Sequence, residues 1–112
     1  MALALALLAG PATAAPKKIN TEQEFRTLVV GRTFGNGDYS AVIKADGTMS
    51  GARKDGVKIV GNWAWNGKLW CRNIAMGKQQ LGTDCGTWTI DGNKYRLVMG
   101  DGKGKPQDGT IK

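Results

Sequence analysis

The stretch VKIVGNWAWNGKLWCR, residues 57–72, contains the pattern that decides the fold. Before the dipeptide Asn66-Gly67, an alternating pattern places Lys58, Asn62 and Ala64 between the residues Val57, Ile59, Gly61, Trp63 and Trp65. Such period-two patterning predicts a half-buried β-strand. Asn-Gly is a strong hairpin signal because both residue types tolerate a positive φ. The stretch therefore predicts two antiparallel strands joined by a tight turn.

The same signals recur on both sides of this hairpin. Further turn dipeptides are Asp46-Gly47, Asp55-Gly56, Asp91-Gly92, Asp101-Gly102 and Asp108-Gly109. Alternating segments lie between them, with apolar residues at 39, 41 and 43 and again at 95, 97 and 99. Short strands with turns at regular spacing are typical of all-β domains. We predict a mainly β fold, an antiparallel meander that closes into a small barrel or sandwich.

One short helix is expected near the amino terminus. Thr21 and Glu24 match a capping box. In this motif the Thr hydroxyl accepts a hydrogen bond from the backbone N–H of the Glu, and the Glu carboxylate accepts one from the backbone N–H of the Thr. Phe25, Leu28 and Val29 follow at the spacing of one helix face, and Gly31 is a stop signal. The pattern predicts a helix over residues 22–30 that covers one end or one face of the sheet.

Residues 1–15, MALALALLAGPATAA, have the composition of a signal peptide. An uninterrupted Ala/Leu run is followed by Gly10-Pro11 and by the small-x-small pattern that signal peptidase accepts, although no Lys or Arg precedes the run. We explain that gap by a natural start codon upstream of Met1. The prediction is a mature domain of residues 16–112, located in the periplasm or secreted, with no integral membrane segment after cleavage.

The chain has 2 cysteines, Cys71 and Cys85. Because exported chains meet an oxidising environment, a pair of cysteines in a small domain predicts a disulfide. The closed loop of about 15 residues corresponds to about 3 kcal/mol of stabilisation in the chain-entropy model.

The formal net charge is +7, from 16 Lys and Arg against 9 Asp and Glu. A basic domain attracts polyanions through its summed field. Outside the cytoplasm this favours anionic lipid head groups, lipopolysaccharide phosphates or an acidic protein over nucleic acid. The alternative is that the charge serves only solubility.

The sequence allows two registers of the central hairpin. A two-residue Asn66-Gly67 loop would put Lys68 and Arg72 on one face with Trp63, Trp65 and Trp70. A bulge at Gly67 shifts the parity by one residue, which places Trp63 with Leu69 and Cys71 and leaves Trp70 outside with the two cations. The second register keeps charges out of the core and is favoured. It predicts a binding face of Lys68, Trp70 and Arg72, because exposed large aromatic groups mark contact surfaces. The alternative is that the N-terminal helix or a neighbouring loop covers Trp70. In both registers Trp88 is expected in the core.

The chain has no His, which excludes the Ser-His-Asp triad and the usual imidazole metal ligands. The acidic residues mostly precede Gly in turns, where Asp serves backbone geometry. We expect no catalytic residues, no metal site and no cofactor.

Several short motifs carry a resemblance to known exported proteins over about residues 34–99. They are Ala45-Asp46-Gly47-Thr48, Gly61-Asn62-Trp63, residues 67–72, Asp84-Cys85 and Trp88. In these motifs the chain resembles small exported proteobacterial β-rich proteins of uncharacterised function, which implies a periplasmic β domain and no activity. It is also similar to periplasmic lysozyme inhibitors, small disulfide-bonded β-barrels. Charge argues against inhibition, because common lysozymes are themselves basic and would repel this domain.

Together these observations predict an exported, monomeric, non-catalytic binding protein. Its partner would be an anionic envelope component or an acidic protein, bound through a basic face that contains Trp. The alternatives are a structural or assembly role in the envelope and inhibition of a secreted enzyme.

Overall fold

The computed structural model describes residues 15–112. The predicted signal peptide, residues 1–15, lies outside this range except for Ala15, so it stays a prediction. The described chain forms nine strands and two short helical segments, in this order: β1 Lys17–Lys18, α1 Glu22–Leu28, β2 Thr33–Gly35, β3 Tyr39–Ile43, β4 Thr48–Arg53, β5 Lys58–Asn66, β6 Leu69–Met76, β7 Gln79–Asp91, β8 Lys94–Val98, α2 Met99–Gly102 and β9 Pro106–Ile111.

Strands β2 to β9 form a closed eight-stranded antiparallel barrel, which confirms the mainly β prediction. Strands β3 to β8 follow one another as a meander, β9 pairs with both β8 and β2, and β7 pairs with both β6 and β8. The long strand β7 makes this closure, since residues 79–86 pair with β6 and residues 87–91 with β8. Of the two predicted alternatives, a small barrel or a sandwich, the structure is a barrel. Strand β1 pairs with β7 at Thr89 and Ile90.

Helix α1 begins as predicted and ends earlier. Thr21 is the N-cap, and its Oγ1 accepts a hydrogen bond from the backbone N–H of Glu24 at 3.2 Å. The Glu24 carboxylate accepts from the backbone N–H of Asn20 at 2.9 Å, one residue before the N-cap. The helix ends at Leu28 because Val29 leaves helical geometry, two residues before Gly31 adopts a φ of +86°.

The helix closes one end of the barrel with an aromatic cluster. Phe25 is fully buried, and its ring centroid lies 5.2 to 6.1 Å from the centroids of all four tryptophans, Trp63, Trp65, Trp70 and Trp88. Arg26 Nη1 donates to Ala45 O in the turn between β3 and β4 at 3.1 Å. The helix therefore covers the end where the β3–β4 and β5–β6 turns lie. Trp88 is 0% exposed, as predicted.

The predicted disulfide is present between Cys71 and Cys85, which are directly opposite each other on β6 and β7. It joins the first half of the barrel to the strand that closes it. Within residues 15–112 no helix has the length and apolar character needed to span a membrane.

Glu24 gives a pH-dependent test of the helix start. The Lys17 ammonium, 2.8 Å from the carboxylate, and the Asn20 N–H lower the pKa of Glu24 from 4.5 to about 2. A carboxylate with a depressed folded pKa stabilises the fold above its unfolded pKa, and this contribution is lost as pH falls through the folded pKa. We expect Glu24→Gln to lower the urea midpoint above pH 4.5, and we expect the difference from wild type to vanish near pH 2.

Lys17→Gln is the matched control, because it removes the first cause of the shift and leaves the helix cap intact. NMR titration of the Glu24 carboxyl should then give a higher pKa than in wild type. An equal Glu24→Gln effect at pH 2 and pH 7 would contradict the assignment.

Candidate functional site

The central hairpin adopts neither of the two expected pairings, although its faces are those of the first, unfavoured register. Asn66 pairs with Leu69 and Trp65 with Trp70, so Gly67 and Lys68 form the two-residue loop. Gly67 has a φ of +66°, whereas Lys68 does not have a positive φ. A glycine at the first central position is the requirement of a type II′ turn. Asn66 is therefore the last residue of strand β5, and the turn lies one residue further along the chain than expected.

This register places Trp70 inside the barrel. Trp63 pairs with Arg72 and Trp65 with Trp70, so all four side chains belong to the same face of the hairpin. That face points inward, and Trp70 is only 2% exposed. The prediction of an exposed Trp70 is therefore wrong. It rested on keeping Arg72 in solvent, whereas the barrel interior accepts Arg72 near its open end.

The predicted face of Lys68, Trp70 and Arg72 does not exist as one surface. Lys68 is exposed in the β5–β6 turn, at the end that α1 covers. Trp70 packs against Phe25 and Trp88 in the core. Arg72 lies further along β6, is partly buried, and lines a cavity away from the helix. Of the three residues, only Trp70 and Arg72 share a site.

The cavity lies inside the barrel towards the end opposite α1 and has a volume of about 100 Å³. Tyr39 at the start of β3, Met76 at the end of β6 and Met99 after β8 lie towards this end, because each is remote from the turns under the helix. The cavity is partly open, and most of its wall is apolar. Its lining also includes Phe34, Ala41, Met49, Ile59, Trp70, Arg72, Ile74, Leu97 and Gln107.

Arg72 is the charged group of this cavity. Within residues 15–112 it forms no ion pair shorter than 4.0 Å, and its Nη1 donates a hydrogen bond to Gly82 O at 3.1 Å. Burial lowers the pKa of Arg72 from its usual value, and the Asp84 carboxylate acts in the opposite direction. A guanidinium has five N–H donors and keeps its charge in proteins. Arg72 is therefore a partly desolvated cation, and most of its N–H groups are available to donate hydrogen bonds to a ligand.

Asp84 is the nearest compensating charge, opposite Arg72 in the β6–β7 ladder. Its Oδ1 accepts from the backbone N–H groups of Cys85 at 2.8 Å and Gly100 at 3.2 Å. These bonds tie the carboxylate to the start of the β8–β9 connection. Asp84 lowers the electrostatic cost of Arg72 through its field, without using the guanidinium donors.

Other polar groups contribute to the interior. Trp70 Nε1 is buried and has no hydrogen-bond partner among the described residues. The hydroxyls of Tyr39 and Tyr95 lie 2.8 Å apart, and Tyr39 also donates to Gln107 Oε1 at 3.2 Å. Burial raises the pKa of Tyr39 and that of Tyr95, so both hydroxyls stay neutral and serve as hydrogen-bonding groups.

The arrangement can hold an anion and shield an apolar group, and it contains no assembled nucleophile and base. Among residues 15–112 there is no group of three or more Cys, Asp or Glu side chains that could hold a metal ion. Nothing in the sequence had indicated that Tyr39, Gln107 and the methionines Met49, Met76 and Met99 line the same cavity as Arg72. Only the position of Arg72 relative to Trp70 could be inferred from the sequence, because residues two positions apart share a face in any regular strand.

The likeness to exported proteobacterial β proteins stays a prediction. No family model, no curated protein and no solved structure matches this chain.

Proposed function

We propose that this protein is an exported, non-catalytic binding protein that takes an anionic ligand into its barrel at Arg72. The partly buried, unpaired guanidinium at the edge of an apolar cavity carries the proposal. This keeps the anionic partner expected from composition, and it moves the site from an outer face to the interior.

The energetics favour an anion with an apolar part. Removing Arg72 from water without an ion-pair partner costs free energy, and a carboxylate or phosphate would recover it through charge-assisted, two-pronged hydrogen bonds. The apolar wall would in turn stabilise a hydrocarbon or aromatic portion at about 25 cal/mol per Å² of buried surface. A ligand that lacks either the anionic group or the apolar portion would lose the corresponding contribution to its binding free energy.

Two features support export. The Cys71–Cys85 disulfide suits an oxidising compartment. Residues 1–15 have the composition of a signal peptide. An exported binding protein would meet its anionic ligand in the cell envelope or in the medium.

The test is a head-group comparison at several chain lengths. Straight-chain carboxylates of two, six and twelve carbons are titrated beside the alcohols and amines of equal length, by calorimetry and by the combined tryptophan fluorescence. We expect at least one carboxylate to bind more tightly than its alcohol and amine. Arg72→Gln should weaken that binding by about 10- to 100-fold, because a hydrogen bond to a charged group contributes about 1.5–3 kcal/mol.

Two further variants separate the cavity from general surface charge. Lys68→Gln removes the same charge at the opposite end of the barrel and should leave the affinity unchanged. Asp84→Asn removes the carboxylate near Arg72 while keeping an acceptor for Cys85 and Gly100, and it should strengthen binding. If Lys68→Gln and Arg72→Gln weaken binding equally, the anion binds to the basic surface and the cavity proposal fails.

A further inference from the structure

The size of the cavity limits the ligand. Its volume of about 100 Å³ is below that of an engineered apolar cavity of about 150 Å³ that accepts benzene. In proportion to that cavity, about four carbon atoms would fill it, so a single ring or the chain of a six-carbon acid would also occupy the open end. The charged end would then lie beside Arg72, which is part of the same wall.

The closed end of the barrel excludes long chains. Phe25 is fully buried and packs against both Trp70 and Trp88, which are 2% and 0% exposed. The Trp70 and Trp88 rings are in edge contact, with centroids 5.5 Å apart. Close-packed aromatic groups leave no channel for a methylene chain. A ligand that enters at the open end therefore cannot extend through the barrel.

The wall is chemically adaptable. All three methionines within residues 15–112 line the cavity: Met49, Met76 and Met99. Methionine has three rotatable bonds and a polarizable sulfur, so it fits irregular shapes and makes favourable contacts with aromatic rings. Such a wall accepts a flat ring or a short branched chain of equal volume.

We infer that the ligand is a small monocarboxylic acid with a single ring or a chain of about six carbons, and not a long-chain lipid or lipopolysaccharide acyl group. This rests on the proposed function, because it names the class of anion that Arg72 would hold. The volume and the aromatic plug limit the length of the ligand, and the methionine wall allows either a ring or a chain.

The experiment is a size series with the carboxylate held constant: acetate, hexanoate, benzoate and dodecanoate, each titrated against the mature wild-type protein. Each buried methylene contributes a factor of about four in affinity. We expect hexanoate and benzoate to bind at least tenfold more tightly than acetate. Dodecanoate should bind within threefold of hexanoate, because its extra methylenes stay in water. An affinity that keeps rising fourfold per carbon up to dodecanoate would overturn the inference and leave the proposed function intact.

Met76→Ala provides a variant that moves the size limit. Met76 is partly buried at the end of β6, so its truncation enlarges the cavity at its rim. With octanoate and decanoate added to the series, the chain length beyond which the affinity stops rising should then increase from about six to eight or more carbons. An unchanged limit in a folded variant would contradict the cavity as the site. If no carboxylate of any length binds, the proposed function itself fails.

Discussion

Phe25→Ala is expected to lower the free energy of unfolding by about 3–5 kcal/mol, the range for large aromatic truncations in a packed core. Phe25 is fully buried and contacts all four tryptophans, so its removal leaves a cavity at the centre of the cluster. Helix α1 has only seven residues and would lose its sole fully buried aromatic side chain. Such a short helix depends on tertiary packing, since isolated helices of this length are unstable in water. Urea unfolding followed by tryptophan fluorescence measures the loss.

Two controls separate the packing of Phe25 from the helix itself. Phe25→Leu keeps most of the apolar volume and should cost less than Phe25→Ala. Gln23→Ala changes an exposed position of the same helix and should leave the stability within about 0.5 kcal/mol of wild type. A loss below about 1 kcal/mol for Phe25→Ala would show that the aromatic plug does not hold the barrel end closed.

The second large effect is expected at the disulfide. Cys71 and Cys85 are 14 positions apart, and replacing both with Ala should lower the free energy of unfolding by about 3 kcal/mol. The bond restricts the unfolded chain across the β6–β7 turn, so its loss raises the entropy of the unfolded state. Wild-type protein with its disulfide reduced should unfold at the same urea concentration as the double variant.

The same prediction tests export. Protein recovered from the periplasm or medium should show no reactive thiol after denaturation without reductant. Mass spectrometry of that sample should give a chain that begins near Ala15 or Pro16. Two labelled cysteines, or an intact Met1, would contradict the oxidised exported form.

Local sequence signals predicted the separate elements well. The N-cap at Thr21 forms as expected, because its hydroxyl accepts a hydrogen bond from the N–H of Glu24, only three residues away. Strand β3 has the predicted alternation, with Ala41 and Ile43 buried in the barrel. These features depend on neighbours within a few positions, so the order of residues is sufficient to specify them.

The candidate site was predicted only in part. Arg72 was singled out as an anion-binding residue, yet on an outer face with Lys68. The error came from a turn: a one-residue change in register moves every side chain of a strand to the other face. The preference for charges outside is a good rule for closed cores and fails where a barrel is open at one end.

By itself, the sequence determined the helix start, the strand alternation and the pairing of the two cysteines. Each of these follows from backbone preferences or from the chemistry of a few nearby residues. The turn positions followed only in part, since the central turn is shifted by one residue and the predicted turn dipeptide Asp108-Gly109 lies within strand β9. Only the tertiary structure decided that Trp70 is core and that Arg72 faces a cavity with Tyr39 and Gln107. That decision depends on barrel closure, which pairs β2 with β9 across more than half of the chain. Contacts between residues so distant in sequence leave no periodic pattern, because they are selected by the packing of the whole interior.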